Sequence, residues 1–158
     1  MAIRNFAARE LLPSLRTCGL LPTEIAEDRK VQEVVYLLGR AGAELGYRYK
    51  WELFGPYSVE LADDVRDLDR DEIEVASSAE APVSSDALAR LRALLDPPDD
   101  LGLAQDEWLR LLTCVDFVER RVPGATENGS TPVFLTRNFN DDAITSARER
   151  LREQLLAA

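Results

Sequence analysis

Apolar residues recur every three or four positions between residues 28 and 45, which is the strongest helical pattern in the chain. The apolar positions of this segment are Val31, Val34, Val35, Leu38, Ala41, Gly42 and Leu45. Spacings of three and four place side chains on one face of an α-helix, and a globular protein buries such a face. The pattern therefore predicts a helix at 28–45 whose apolar face lies in the core.

Aromatic and polar residues alternate directly after this helix. The aromatic or apolar positions are Tyr47, Tyr49, Trp51 and Leu53, and the polar positions between them are Arg48, Lys50 and Glu52. A period of two is typical of a half-buried β-strand. We expect the aromatic face to pack on the core. The alternative is a platform on which the bases of single-stranded nucleic acid stack.

A tight turn is predicted at residues 55–58, because a Gly-Pro pair ends the strand. Its last residue, Ser58, can cap the next helix, because its side chain can accept a hydrogen bond from an early backbone N–H. The apolar stripe of that helix consists of Leu61, Ala62, Val65 and Leu68. This orientation leaves Asp63, Asp64 and Asp67 facing water.

The rest of the chain completes a mainly helical pattern. Further helices are predicted at 5–17, 84–95 and 105–121 and after a cap at Asn138 or Asn140, and short strands at 72–76 and 132–136. The helix at 105–121 has too many apolar residues for one stripe, so we expect it to run through the middle of the core. The sequence thus predicts a mainly helical single α+β domain with a small two- or three-stranded sheet. A winged-helix-like arrangement fits the same elements.

Length and composition bound the class of protein. A chain of 158 residues is typical of one domain. Hydrophobic residues at 46% and charged residues at 30% indicate a folded protein rather than a disordered one. No apolar run approaches the ~18 residues of a membrane helix, and no signal peptide is evident, so we expect a cytoplasmic protein without membrane contact. Cys18 and Cys114 lie in apolar helical patterns, which indicates reduced thiols in the core.

The residue types present argue against catalysis. Histidine is absent, which removes Ser-His-Asp and Cys-His nucleophilic schemes and the commonest general base. Glycine-rich phosphate loops are absent too. We therefore predict no enzyme activity, no catalytic or metal-binding residues and no cofactor.

Charge bears on the class of partner. A net charge of −10 works against binding nucleic-acid phosphates and favours a basic protein as partner. Arginine supplies nearly all the positive charge, since only Lys30 and Lys50 are lysines. Two reasons for this preference for arginine are open: the base composition of the genome, and a need for bidentate contacts.

A dense acidic run follows the predicted turn and consists of Asp63, Asp64, Asp67, Asp69, Asp71, Glu72 and Glu74. Three interpretations are open: a solvated face, a docking surface for a basic protein, and an oxygen-rich metal site. The spacing does not match a calcium loop, because no glycine follows in the required place. As a docking surface, the run would use Asp63, Asp64 and Asp67 together with Tyr57 of the turn.

Two short motifs resemble a known family. They are Lys30, Gln32 and Tyr36 in the first helix, and Gly55, Pro56, Tyr57 and Ser58 of the turn followed by Leu61 and Asp64. With these residues the chain resembles the prokaryotic YwgA-like family and the related Panacea domain. The resemblance covers residues 29–69 and continues more weakly over 132–151. Residues 1–27 fall outside it, which implies that they are an N-terminal addition. Glu33 departs from it, because a basic residue is usual at that position.

The resemblance implies a function in protein interaction. Some Panacea members act as antitoxins. The chain is accordingly expected to be a non-enzymatic protein-binding module, antitoxin-like or a component of a prokaryotic defence or stress system. Its partner would be another protein, either a toxin or a subunit of a defence complex. A winged-helix-like DNA-binding regulator is the alternative.

Overall fold

The computed structural model describes residues 28–42, 46–52, 55–64, 85–122, 124–126 and 132–156. The helices in these ranges are α1 (Asp28–Arg40), α2 (59–64), α3 (Ser85–Leu95), α4 (Gln105–Arg121), α5 (Val133–Asn138) and α6 (Asp141–Leu151). Strands β1 (Lys50–Glu52) and β2 (Gly55–Tyr57) form an antiparallel pair, a 3₁₀ turn covers Asp99–Leu101, and a π-helical turn at Arg152–Leu156 continues α6. The predicted α+β fold, mainly helical with a small sheet, is confirmed.

Helix α4 lies at the centre of the fold, and its bounds match the predicted helix at 105–121. Its buried residues are Trp108, Leu109, Leu111, Leu112, Thr113, Cys114, Val115, Asp116 and Phe117. Helices α1, α3 and α6 and strand β2 all pack against it. A helix that is apolar all round is stable in this way, because neighbours cover every side of it.

Helix α1 buries its predicted apolar face but ends earlier than predicted. The buried apolar residues of this face are Val31, Val34, Val35, Leu38 and Ala41. The helix ends at Arg40 because the chain turns at Gly42, whose φ of 126° suits glycine and is incompatible with a helix. Gly42 itself is exposed, and residues 43–45 lie outside the described ranges.

Strands β1 and β2 form a hairpin, which corrects the prediction that the strand simply ends in a turn at Gly55. Lys50 pairs with Tyr57, and Glu52 pairs with Gly55. Gly55 has a φ of 126°, and a Cβ atom there would lie 2.8 Å from the Sγ atom of Cys114. Glycine therefore lets the backbone of β2 lie close against α4.

The predicted third strand at 132–136 does not form, because helix α5 begins at Val133. Pro132 precedes the helix with a φ of −57°, a value that its ring fixes and that suits a helix start. Its carbonyl oxygen accepts hydrogen bonds from the backbone N–H groups of Leu135 and Thr136, at 3.0 and 3.3 Å. A short apolar run does not by itself distinguish a strand from a helix, which explains the error.

Helices α3 and α6 follow the sequence signals. Helix α3 ends at Leu95, just before the Pro97-Pro98 pair. Asn140 rather than Asn138 caps α6, since its Oδ1 atom accepts a hydrogen bond from the backbone N–H of Ala143 at 2.8 Å. The cap explains why α6 begins directly after Asn140.

Some predicted features lie outside the described residues. They are the N-terminal segment 1–27 with its helix at 5–17 and Cys18, the stripe residues Val65 and Leu68, and the strand at 72–76. Cys114, in contrast, is a buried thiol on α4, as predicted. Among the helices that the structure describes, none is long and apolar enough to cross a membrane.

Candidate functional site

The two motifs of the family resemblance are in direct contact. Gln32 Nε2 donates a hydrogen bond to the carbonyl oxygen of Ser58, and Gln32 Oε1 accepts one from the Ser58 backbone N–H, both at 2.8 Å. Ser58 also caps α2, as predicted, because its Oγ accepts a hydrogen bond from the N–H of Leu61 at 3.2 Å. All three residues are buried. These motif residues therefore join α1 to the hairpin and to the start of α2.

The predicted partner-binding residues occupy different environments. Tyr57 is half-buried on β2, and Asp63 is exposed on α2. Asp64 is only 8% exposed and accepts a hydrogen bond from the hydroxyl of Tyr47 at 2.7 Å. The prediction that Asp64 faces water is wrong, because it lies three residues after the core residue Leu61 and so shares its side of the helix.

Asp67 and the later residues of the acidic run lie outside the described residues; these later residues are Asp69, Asp71, Glu72 and Glu74. Across the ranges that the structure does describe, no three Asp, Glu or Cys side chains are grouped so that they could hold a metal ion. Glu33, which departs from the family pattern, is buried and lines a cavity of about 20 Å³ with Tyr57. A space of that size suits a single water molecule, so a partner's side chain does not fit there.

Four aromatic rings form a cluster between α1, α4 and the hairpin. Tyr36 and Tyr49 meet edge to face, with ring centroids 4.9 Å apart. Phe117 lies 6.4 Å from Tyr36 and 5.9 Å from Trp51. Packing of the alternating aromatics on the core is thus confirmed for Tyr49. Trp51 only partly follows that prediction, because 36% of it is exposed at the outer end of the cluster.

Two exposed apolar side chains belong to the hairpin and to the residues that follow it: Trp51 on β1 and Val59 at the start of α2. We call the hairpin surface the group of Trp51, Val59 and Asp63. Ser58 is the single residue between β2 and α2, so Val59 follows the hairpin directly. Val59 is 63% exposed and precedes Asp63 by one helical turn, which places both side chains on one face of α2. The hairpin surface therefore combines apolar groups with an exposed carboxylate.

A cavity of about 290 Å³ lies between the C-terminal ends of α1 and α4 and helix α6. We call it the arginine cavity. Its charged residues are Arg40, Asp116, Glu119, Arg120, Arg148 and Arg152. Its apolar residues are Val115, Leu151 and Leu155. The cavity thus has both a charged and an apolar part.

Asp116 is fixed within the fold at the edge of this cavity. Its Oδ2 atom accepts hydrogen bonds from the hydroxyl of Tyr36 at 2.7 Å and from Nε of Arg40 at 2.9 Å. Asp116 is 5% exposed, and a carboxylate at that depth is tolerated because it is paired and hydrogen-bonded. Burial, and then the charge of Asp116, raises the pKa of Tyr36 well above its ordinary value of 10.0. The phenol therefore remains protonated and donates.

Glu119 is bonded to the short loop that follows α4. Its carboxylate accepts hydrogen bonds from the backbone N–H groups of Gly124 at 2.7 Å and Thr126 at 3.2 Å, and from the Thr126 hydroxyl. Burial alone would raise the pKa of this carboxyl. The hydrogen bonds from Thr126 and Gly124 and the charge of Arg152 hold the pKa below its ordinary value of 4.5. Glu119 is thus ionised and holds the loop against α4.

Sequence patterns do not predict the arginine cavity. Its arginines lie at positions 40, 120, 148 and 152, so no local motif contains more than two of them. The one signal in the sequence is the use of arginine for nearly all positive charge, which genomic composition explains equally well.

Comparison of the chain with protein-family models, with curated proteins and with solved structures found no match in any of the three. The resemblance to the YwgA-like family and the Panacea domain therefore stays a prediction from the motif residues, among them Gln32 and Ser58.

Proposed function

We propose that this domain is a non-enzymatic protein-binding module of the cytoplasm, which docks a basic partner protein through its hairpin surface. The observation that carries the proposal is Trp51, which is 36% exposed although its ring packs on Phe117. Tryptophan is among the side chains that dominate binding energy when they lie at the centre of an interface. Val59, two residues after β2, is a second exposed apolar side chain, 63% exposed.

The hairpin surface is held in place by the core beneath it. The ring of Phe117 packs against Trp51 and also against the guanidinium of Arg121, which lies 4.6 Å from the ring centroid. Gln32 fixes the backbone at Ser58, directly before Val59. Side chains that are already ordered lose less conformational entropy on binding. This pre-organisation suits the surface for a specific partner.

Charge supports a basic partner. Asp63 is exposed beside Val59, and the whole chain has a net charge of −10. Lys50 and Glu52 alternate with Trp51 along β1 and so lie on its opposite face, where their charges balance. Acidic groups at the rim of an interface attract a partner of opposite charge and mainly raise the association rate.

The resemblance to antitoxin-containing families supports the same kind of function. On this proposal the partner is a toxin or a subunit of a prokaryotic defence or stress system. An antitoxin of this kind needs no catalytic group, because blocking the partner's surface is sufficient for its effect.

The test compares variants of the hairpin surface with a matched control on α5. Binding to a partner isolated from the native host should weaken about 30-fold in Trp51→Ala and in Val59→Arg, as for an interface residue worth about 2 kcal/mol. The control is Val133→Arg, because Val133 is 62% exposed and Val59 is 63% exposed. Asp63→Lys should chiefly slow association and change its dependence on salt.

Two results would contradict this proposal. One is a loss of binding in Val133→Arg as large as the loss in Val59→Arg. The other is sequence-specific retention of duplex DNA at ~0.15 M salt, which would favour the winged-helix-like regulator instead. Melting temperatures of all variants, measured alongside, separate loss of binding from loss of folding.

A further inference from the structure

Strand β1 lies at the edge of the small sheet, and its residues Lys50, Trp51 and Glu52 are all exposed. In the part of the chain that the structure describes, β2 is the one strand that pairs with β1. A hairpin of two strands is only marginally stable, and further strands stabilise it. The outer side of an exposed edge strand is where another chain can add such a strand.

The two charged side chains of β1 can form contacts with another molecule. Within the described ranges, the structure shows no ion pair of Lys50 or of Glu52. Side chains alternate along a strand, so both lie on the face of β1 opposite to Trp51. The strand therefore carries one positive and one negative charge on one face, placed symmetrically before and after Trp51.

This charge pattern is complementary to itself when two strands run antiparallel. If Trp51 of one copy lies opposite Trp51 of a second copy, Lys50 of each copy lies opposite Glu52 of the other. Opposite charges directly across an antiparallel pair stabilise it, and like charges destabilise it. A parallel pairing in register would instead place Lys50 beside Lys50 and Glu52 beside Glu52. The charges of β1 therefore favour one orientation and one register.

Charged residues on an edge strand usually prevent pairing with other chains. Charges of a single sign would repel a second copy in either orientation. Lys50 and Glu52 repel a second copy only in the parallel orientation, because their signs are opposite. They consequently give β1 no protection against an antiparallel copy of itself.

The same register covers the exposed part of Trp51. Residues directly opposite each other share one face of a sheet, so the two Trp51 side chains become neighbours. The ring of Trp51 packs on Phe117 within its own chain, yet 36% of the residue is exposed. Contact between the two rings removes apolar surface from water and so favours association.

We propose that two copies of this chain associate by antiparallel pairing of their β1 strands, with the two Trp51 residues opposite each other at a twofold axis. The two hairpins then form one four-stranded sheet, and both copies contribute the same residues to the interface. A three-residue strand buries little surface, so we expect a weak dimer with a Kd of about 100 µM. This dimer goes beyond the proposed function, because it needs no other protein.

Sedimentation equilibrium of the full chain tests the dimer from about 10 µM to about 1 mM protein, at ~0.15 M salt, where repulsion between the net charges is screened. The wild type should self-associate. Lys50→Glu and Glu52→Lys should each weaken self-association at least about tenfold, because each places like charges opposite each other twice. An equimolar mixture of these two variants should associate within about threefold of the wild type, because every Glu of one then lies opposite a Lys of the other.

The matched controls are Arg137→Glu on α5 and Glu149→Lys on α6, which change the net charge by the same amounts at exposed positions. Each should leave self-association within about twofold of the wild type, since distant charges are screened. The proposal is overturned if the wild type is monomeric at about 1 mM. It is also overturned if the mixture associates as weakly as either β1 variant alone, or if the controls weaken association as much as those variants do.

Failure of the dimer is distinguishable from failure of the proposed function. Lys50→Glu and Glu52→Lys leave the hairpin surface of Trp51, Val59 and Asp63 unchanged. Binding of the partner protein can therefore be measured with these variants separately from self-association.

Discussion

The hydroxyl of Tyr36 donates a hydrogen bond to Oδ2 of Asp116 at 2.7 Å, which joins α1 to α4 across 80 positions of the chain. The same oxygen accepts a hydrogen bond from Arg40, one helical turn after Tyr36. Hydrogen bonds to a charged group contribute about 1.5–3 kcal/mol to stability. Asp116 is therefore a main link between the first helix and the central one.

Stability should depend on Tyr36 in alkaline solution. Burial and Asp116 raise the pKa of Tyr36 in the folded protein above its ordinary value of 10.0. The unfolded chain therefore loses this proton first, and the contribution of Tyr36 to stability is full below pH 10 and declines above it. Urea unfolding from pH 8 to pH 11 should show a smaller alkaline loss of stability in Tyr36→Phe than in the wild type.

Removal of the Gln32 amide should destabilise the fold. In Gln32→Leu, the N–H and the carbonyl of Ser58 both lose their side-chain partner in a buried position. We expect a decrease of about 2–4 kcal/mol in the free energy of unfolding, measured by urea denaturation. Gln105→Leu, at an exposed position at the start of α4, is the control and should change stability by less than about 1 kcal/mol. Equal effects of the two substitutions would show that the buried amide pair is unimportant.

Substitution of Gly55 should reveal its close approach to Cys114. In Gly55→Ala, the positive φ is strained and the new Cβ would lie 2.8 Å from Sγ of Cys114, so we expect a loss of about 2–4 kcal/mol. Cys114→Ala removes the overlap but not the backbone strain. The double variant should thus be more stable than the sum of the single effects predicts, by about 1 kcal/mol. Strict additivity in denaturation experiments would mean that the two residues do not touch.

The loop after α4 should depend on the charge of Glu119. Its pKa is lowered in the folded protein, so its contribution to stability is present above its ordinary value of 4.5 and is lost as pH falls through the folded value. Glu119→Gln should therefore be less stable than the wild type at pH 7, by at most about 1 kcal/mol because the group is partly exposed. The difference should shrink in acid. Glu149→Gln, an exposed carboxylate on α6, is the comparison, and a pH-independent deficit in Glu119→Gln would refute this role.

An element of the fold could be predicted from the sequence when the residues that determine it lie close together in the chain. Helix α4 was predictable to its end residues, because apolar positions and end signals lie within the helix itself. Strand β2 was not, since Gly55 and Pro56 are ordinary turn residues and their pairing with Glu52 and Trp51 of β1 makes them a strand. Tertiary contacts override local preference in such short segments.

The candidate sites show the same division. Helical periodicity accounts for the exposure of Asp63 and places Asp64 on the same side as Leu61, whereas the partner of Asp64, the hydroxyl of Tyr47, lies 17 positions earlier and follows from no local pattern. The arginine cavity forms only when residues near position 40 meet residues beyond position 115. Periodicity carries no information about contacts between such distant residues, so the sequence alone gave no prediction of this cavity.

Gln32 recognises a peptide group rather than a side chain, and this has a consequence for distant relatives of the chain. The two bonds at 2.8 Å use only the backbone atoms of residue 58, so they place no demand on which side chain stands there. Capping of α2 and burial, at 0% exposure, are the two demands on that side chain, and the small neutral residues Thr and Asn could meet both. We therefore expect these residues to replace one another at position 58 in related sequences, whereas the glutamine at position 32 should rarely be replaced. A lone glutamine 26 positions before a helix-capping residue is the mark by which divergent members could be sought.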